Sequence, residues 1–437
     1  MNPSKDTIWT EAQAERQLRS LELFGMRFGL DRMRRMMTVL GSPQRRFDSI
    51  HVLGTNGKTS TTRMIAAILE RHGLRTGAYT SPHLVSYRER VQVAERDLQA
   101  GAFAAAIARS AWAAERVNRT LAEDDHVTQF ELLTAAAFWE MAERDVRVAV
   151  VEAGLGGRYD ATSVIDSSVT VLTSVGLEHT RWLGPTLSDI AEEKLAVVRP
   201  GTTLIHGSDL AAAARTVAAR VARERGARIL CADVASHALL PLRARGGFQR
   251  HNFALARLAA EVCLSGAGIE LDQQAVRDAA ACTVVRGRLQ VVDQDPLTVL
   301  DGAHNPDAVA ALVDSLPDVI GGRALAVVLG VLEDKDAAAM LGAILGACER
   351  AWFTAPPSSR ALSPAALQSL ARQLGFDAVV SEPRPQRALG AAQRWARERD
   401  GAVLATGSVY LVGDLLSELD ASDSLSRPQA RSRRSAR

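Results

Sequence analysis

From residue 48 onward the chain alternates between short apolar, β-branched runs and longer stretches whose apolar positions recur at helical spacing. The strand-like runs fall at 49–53, 147–151, 169–175, 203–206, 298–300, 325–329, 351–354, 378–380 and 402–405. Several are continuous rather than alternating, which is the pattern of parallel strands covered on both faces. Helical periodicity covers 61–72, 98–118, 130–143, 187–198, 209–225, 252–265, 306–315 and 364–374. Such alternation predicts an α/β fold with right-handed crossovers. A helix-rich stretch ends near 281–289, where Gly287 lies between Arg286 and Arg288, and a fresh βαβ series is expected from Val291. The expected organisation is a first domain over 1–285, a second α/β domain over 286–420 and a disordered basic tail over 421–437.

Composition narrows the class. With 437 residues, 47% apolar and 23% charged, the chain reads as globular and long enough for two or three domains. No apolar run reaches the roughly 20 residues of a membrane span. The first residues mix Lys5, Asp6, Glu11, Glu15 and Arg16 without an apolar segment, so no secretion signal is expected. Cys231, Cys263, Cys282 and Cys348 form no Cys-x-x-Cys pair and read as reduced, mostly buried thiols of a cytoplasmic protein. Arg427, Arg431, Arg433, Arg434 and Arg437 crowd the C-terminus. Without those five the net +2 becomes about −3, which argues against a nucleic-acid surface on the folded body.

Candidate chemistry begins at Ile50-His-Val-Leu-Gly-Thr-Asn-Gly-Lys-Thr-Ser60. An apolar strand runs into a glycine-containing turn with one lysine, and a helix follows. Backbone N–H groups of such a turn and the helix N-terminus present partial positive charge to a phosphate chain. Lys58 adds a full charge, and the hydroxyls of Thr59 and Ser60 sit where phosphate oxygens and Mg²⁺ need partners. Val150-Val-Glu-Ala-Gly-Leu-Gly-Gly-Arg-Tyr-Asp-Ala-Thr-Ser163 places Glu152 at the end of another strand. That edge of a parallel sheet is where ligands bind, and a carboxylate there suits Mg²⁺. The next strand ends in Thr173-Ser-Val-Gly-Leu-Glu-His179, and Lys194 lies on the helix after it. Alone, His179 or Lys194 would more often be a structural or solvated group than a ligand.

Six segments stand in order: Gly54-Thr-Asn-Gly-Lys58, Ser81-Pro-His-Leu84, Glu152-x-Gly-Leu-Gly-Gly-Arg158, Glu178-His179, Glu193-Lys194 and Asp301-Gly-Ala-His-Asn-Pro306. The set resembles the folylpolyglutamate synthase/dihydrofolate synthase family of the Mur-ligase-like superfamily, over residues 18 to about 415. The resemblance implies a phosphate-loop, Mur-ligase-like ATP-binding domain followed by a Rossmann-like, glutamate-ligase-type α/β domain. It implies ATP contacts at Thr55, Asn56, Gly57, Lys58, Thr59, Ser60, Asn252, Arg288 and Asp301. Two Mg²⁺ sites are implied, one at Ser81 and Glu152, the other at Glu152 and His179, with Lys194 as an N-carbamate. The carbamate makes physical sense, because an ammonium repels Mg²⁺ whereas its CO₂ adduct is an anionic oxygen ligand. Thr128, Gln129, Phe130 and Glu131, with Tyr159, Asp160 and Ala161, match segments that hold a pterin-bearing substrate. His304 and Ser408 are the candidates for the glutamate side, with Lys58, Lys194 and His304 as the catalytic set. Three departures stand out: Gly57-Lys-Thr-Ser60 is closer to Mur ligases, Ser163 replaces an Asn, and Glu178 replaces an Asp before His179.

The implied reaction is ATP-dependent amide formation: ATP phosphorylates a carboxylate of dihydropteroate or of a folate's terminal glutamate. The amine of L-glutamate then attacks the acyl phosphate. A monomer is the default. The rivals are a Mur-type ligase on a UDP-linked cell-wall precursor, and a non-catalytic ATP-binding switch. Only 53 residues precede Gly54, few for a separate UDP-binding domain. A switch needs phosphate contacts but not the further set of Glu152, His179 and Lys194.

Overall fold

The structure is a computed structural model that describes residues 9–21, 28–233 and 240–426. The chain folds into two compact units, Met1–Val285 and Arg286–Arg437.

The N-terminal unit is built on a sheet of β1 (Asp48–Leu53), β2 (Thr76–Tyr79), β3 (Val91–Val93), β4 (Arg96–Asp97), β5 (Val148–Glu152), β6 (Val169–Leu172), β7 (Thr203–Gly207) and β8 (Arg228–Ala232). Their spatial order is β4-β3-β2-β5-β1-β6-β7-β8. All neighbours from β2 to β8 pair in parallel, while β3 and β4 extend the edge as antiparallel strands. Alternation in β5 explains its continuous apolar run. Val148 and Val150 pack on one face with Ile65, Ile68 and Phe253, whereas Ala149 and Val151 pack on the other with Phe103, Phe138 and Met141. Both faces are covered, so every position must be apolar. Truncating a filled core position such as Phe253 to Ala would cost about 3–5 kcal/mol.

Topology then positions the chemistry. β2, β5, β1 and β6 are successive neighbours, with Val52 opposite Glu152 and Leu53 opposite Leu172. The segments that leave their C-terminal ends therefore emerge side by side: Thr80–Ser81, Glu152–Asp160, Gly54–Gly57 and Thr173–His179.

Several elements depart from the expected pattern. The helices Glu11–Ser20 and Asp31–Val39 were not foreseen, although Thr10-x-x-Gln13 closes a capping box at the first. The apolar run at 169–175 is strand only to Leu172, because Thr173 and Ser174 turn to bond the loop after β1 at Asn56 O. None of the four cysteines is buried: Cys231 and Cys282 are exposed, and Cys263 and Cys348 are half-buried.

The C-terminal unit has a six-stranded sheet of β9 (Gln290–Gln294), β10 (Leu297–Leu300), β11 (Leu325–Leu329), β12 (Arg350–Phe353), β13 (Val379–Ser381) and β14 (Ala402–Thr406). Its order is β13-β12-β11-β14-β10-β9, parallel except for β9. The unit thus opens on a β9–β10 hairpin, not on the βαβ unit expected from Val291. The last helix, Val409–Ser426, runs past residue 421, where the basic tail was expected to begin; 427–437 lie outside the described residues. No helix among the described residues is long and apolar enough to cross a membrane.

Candidate active site

In the N-terminal unit the loop between β1 and the helix Lys58–Arg71 is held from the side by the segment after β6. Thr55 N donates to Ser174 O (2.9 Å), Asn56 N to Ser174 Oγ (2.8 Å), and Thr173 Oγ1 to Asn56 O (2.6 Å). Gly57 has φ +86°, and a side chain there would run into the carboxamide of buried Asn252. Glycine meets both demands at once. The Thr55 hydroxyl accepts from Gly176 N (3.0 Å), so it braces the loop. Thr59 Oγ1 donates to both oxygens of Glu152 (3.0 and 2.9 Å), and Ser81 N donates to Glu152 Oε2 (3.2 Å). Ser60 is buried.

Two lysines converge on one carbonyl. Lys58 Nζ donates to Gly54 O (3.0 Å) and Thr55 O (2.9 Å), and Lys194 Nζ donates to the same Gly54 O (2.8 Å). Lys194 is 4% exposed. Its ammonium is pushed down to about 7, first by burial and next by the charge of Lys58; Glu178, Asp160 and Glu193 pull the other way. The carboxylate of Glu152 is 1% exposed. His179 has a left-handed backbone (φ +53°) at the start of the turn Thr180–Leu183, and its side chain is 39% exposed, with Nε2 4.0 Å from Glu178 Oε1. Histidine is among the residues that tolerate that conformation.

The donor set suits Mg²⁺: a buried carboxylate, the Thr59 hydroxyl on it, Ser81 held to it through its backbone N–H, and an accessible imidazole. Among the described residues no group of three or more His, Cys, Asp or Glu is gathered for a metal. Mg²⁺ needs none, since it takes one or two protein oxygens and completes its octahedron from phosphate and water.

Of the residues matched to a pterin-bearing substrate, some have structural duties. Thr128 and Glu131 form the capping box of the helix Gln129–Glu143, and Glu131 also accepts from buried Arg32 Nε (3.0 and 3.1 Å). Gln129 Nε2 donates to Leu18 O (3.0 Å). Phe130 lies against Gly154, where any side chain would strike its ring. Asp160 is buried and accepts from Leu155 N (2.8 Å), Thr162 N (3.0 Å) and Thr162 Oγ1 (2.5 Å); burial raises its pKa despite these bonds. Thr162 Oγ1 thus spends its proton on Asp160, so His51 Nε2 is the donor in its 2.9 Å contact with Thr162. Burial, reinforced by Arg199, pushes His51 down to about 3. Ala161 is buried at the start of the turn Ala161–Val164.

Two aromatics that the sequence did not single out, Phe28 and Trp182, join Tyr159 in the region. Tyr159 is 49% exposed and packs with Phe28 (ring centroids 6.0 Å), which in turn meets Trp182 (5.5 Å). All three are exposed aromatics, a surface suited to a flat heterocycle. Trp182 lies three residues after His179, a signal that could have been read. Phe28 comes from a distant loop and carried none.

The C-terminal unit places its candidates at the matching edge of its own sheet. Asp301 follows β10 and accepts from Leu289 N and Ala303 N (2.8 Å each); burial raises its pKa and Arg288 opposes that. Gly302 leaves room for the Arg288 guanidinium, which donates to Gly287 O (3.1 Å). His304 Nδ1 donates to Gly302 O (2.8 Å), leaving Nε2 to face other partners. Ser408, after β14, is buried, and its hydroxyl accepts from Tyr410 N (3.2 Å).

Comparison with known proteins gives these sites a context. The family described as "Mur ligase middle domain" matches residues 52–221, and "Mur ligase, glutamate ligase domain" matches 287–409. The chain is 34% identical to the folylpolyglutamate synthase of Lacticaseibacillus casei, over 86% of this chain and 92% of that one. It is 33% identical to the dihydrofolate synthase/folylpolyglutamate synthase of Escherichia coli, covering 85% and 86%. Mycobacterium tuberculosis folylpolyglutamate synthase complexed with ADP superposes with a TM-score of 0.87 at 30% identity, covering 94% of this chain and 98% of that one. The two-sheet α/β architecture agrees with these likenesses, and the chain belongs to the folylpolyglutamate synthase/dihydrofolate synthase family of Mur ligases.

Proposed function

We propose that the chain adds L-glutamate to dihydropteroate, to the terminal γ-carboxylate of tetrahydrofolate, or to both, through an acyl phosphate made with ATP. One observation carries the reading: Lys58, Lys194, Glu152 and the phosphate-loop backbone converge at a single sheet edge. Lys58 swings from the Gly54 and Thr55 carbonyls onto the transferring phosphoryl group, where it offsets developing charge. Thr55 to Ser60 cradle the triphosphate, and Asn252 backs the loop at Gly57. Arg288 and Asp301 serve the nucleotide from the C-terminal unit. Phe130 and Tyr159 flank the heterocycle, with Thr128, Gln129, Glu131, Asp160 and Ala161 shaping the loops beneath it. His304 and Ser408 orient the incoming glutamate.

Ser81 and Glu152 would hold one Mg²⁺, and Glu152, His179 and a carbamate on Lys194 a second. Magnesium, when bound, supplies charge neutralisation for phosphoryl transfer. A carbamate forms only from a neutral amine, and burial beside Lys58 favours that form of Lys194. Intact-protein mass spectrometry and ¹³C-NMR of protein equilibrated with ¹³C-bicarbonate test this directly; an unmodified Lys194 in both would refute it.

The test of the whole reading is ADP release with ATP, Mg²⁺ and glutamate, adding dihydropteroate or tetrahydrofolate separately. Stimulation by a UDP-muramyl substrate, and by no pteroate or folate, would overturn it.

A further inference from the structure

Two hydroxyl side chains of the loop after β6 take hold of the loop after β1, and the proposed chemistry gives neither of them a role. β1 and β6 are neighbours, with Leu53 opposite Leu172, so the residues that follow them leave the sheet side by side. Gly54 makes the close approach possible, since a Cβ there would collide with Thr173 Oγ1. The Thr173 hydroxyl reaches Asn56 O (2.6 Å) and Leu53 O (3.1 Å). Ser174 then clasps one residue on both of its backbone groups, its Oγ accepting from Asn56 N (2.8 Å) and donating to Asn56 O (3.1 Å). Its carbonyl oxygen accepts from Thr55 N (2.9 Å).

The clasp decides which amides are left for a nucleotide. A glycine-containing turn offers successive N–H groups to phosphate, yet Thr55 N and Asn56 N are spent on Ser174. The helix Lys58–Arg71 has no side-chain cap at its N-terminus, so its first N–H groups are the ones that remain for phosphate oxygens. From Ser174 the chain runs to His179 with little slack. Val175 is buried with Leu53 and Leu172, Gly176 N donates to Thr55 Oγ1 (3.0 Å), and Glu178 N donates to Gly176 O (2.9 Å). His179 O then accepts from Trp182 N (2.8 Å) and Leu183 N (3.0 Å). A short, pinned segment thus joins the hydroxyl that grips the phosphate loop to the imidazole.

We propose that Ser174 is a positioning residue that couples the phosphate loop to His179, so that seating the nucleotide and setting the imidazole are one event. The proposal rests on the ATP-dependent reading above. A hydroxyl suits the task because it can serve an N–H and a C=O at once. Without it both backbone groups of Asn56 lose a partner, and the loop relaxes away from the His179 segment.

A double-mutant cycle tests the coupling. ADP binding in the presence of Mg²⁺ is measured by calorimetry for wild type, Ser174→Ala, His179→Ala and the double variant, with thermal melts to check the fold. The same four proteins are compared in acyl phosphate formation without glutamate, trapped with hydroxylamine as the hydroxamate. Each single variant should weaken ADP binding about tenfold, and the double variant should fall no more than about threefold below Ser174→Ala. Hydroxamate yield at subsaturating ATP should follow the same pattern, and Ser174→Thr, which keeps the hydroxyl, should restore both readouts. A double variant weakened by the full product of the two singles, or unchanged binding in either single, would overturn the proposal. Should Ser174→Ala melt early, Thr173→Val takes its place in the cycle and the same criteria decide. A wild type that bound no ADP would refute the nucleotide reading itself, whereas additive losses in an ADP-binding wild type refute the coupling alone.

Discussion

The two sheets present similar edges with different contents. At each, a buried aspartate whose pKa is raised by burial ties down a loop through two backbone N–H groups: Asp160 with Leu155 and Thr162, Asp301 with Leu289 and Ala303. The N-terminal edge then adds a dense set of charges, with two lysines on one carbonyl and a buried carboxylate held by a hydroxyl and an amide. The C-terminal edge is built mainly from close glycine contacts, at Gly302, Gly330 and Gly407. A shared topology fixes which loops meet at a sheet edge; the side chains on those loops decide what that edge can bind.

That contrast can be broken. Glu152→Ala should remove turnover by a factor on the order of a thousand or more, worth several kcal/mol of transition-state stabilisation, with hydroxamate trapping lost as well. The fold should survive, as a thermal melt would verify. Near-normal trapping in that variant would mean the N-terminal edge does not perform the charge chemistry.

At the C-terminal edge, Ser408→Ala should raise the glutamate KM by about tenfold while acyl phosphate trapping stays at the wild-type level. Equal losses in both readouts would erase the division of labour between the two sheets.

A pH-stability curve sharpens the comparison within the N-terminal sheet. His51 titrates near 3 in the folded chain against 6.5 when unfolded, so the unfolded state binds more protons between those values. Its contribution should be constant above about pH 6.5 and disfavour the folded state progressively as pH falls toward 3, by a few kcal/mol at the low end. Denaturant melts of wild type and His51→Gln should share one pH dependence above about pH 6.5 and diverge as pH falls from there toward 3. Parallel curves throughout would contradict the buried, neutral histidine.

The smallest effect concerns Thr128. As a helix cap its loss to Ala should cost about 1 kcal/mol of stability and leave the pteroate KM nearly unchanged. A large rise in that KM without loss of stability would show instead that Thr128 meets the substrate directly.

Much of this was legible in the chain. The strand, glycine turn and helix from Ile50 to Arg71 are local, so propensity and spacing suffice to see them. Glu152 was legible because a charged residue ending an apolar run marks a strand edge. The pairing of Thr59 with Glu152 was not, since it joins the helix after β1 to the end of β5, and no local pattern encodes which strands are neighbours. The amine of Lys194 reads in sequence as an ordinary surface lysine between Glu193 and Leu195; only the packing of its helix buries it. The β9–β10 hairpin was missed because Gln290–Gln294 is half polar, as an edge strand is free to be.

One contact in the Gly-Leu-Gly-Gly segment reaches beyond its own loop. Gly157 keeps an ordinary backbone conformation, yet a methyl group there would strike the carbonyl oxygens of Glu193 and Lys194, and Arg158 N donates to Glu193 O (3.1 Å). The loop is seated on the last turn of the helix that carries Lys194. Two stretches of the gene more than thirty codons apart therefore drift as one heritable unit. In a random library, Gly157→Ala should be lost, and its second-site suppressors should map to residues 193–198 rather than to neighbours of Gly157 in the chain.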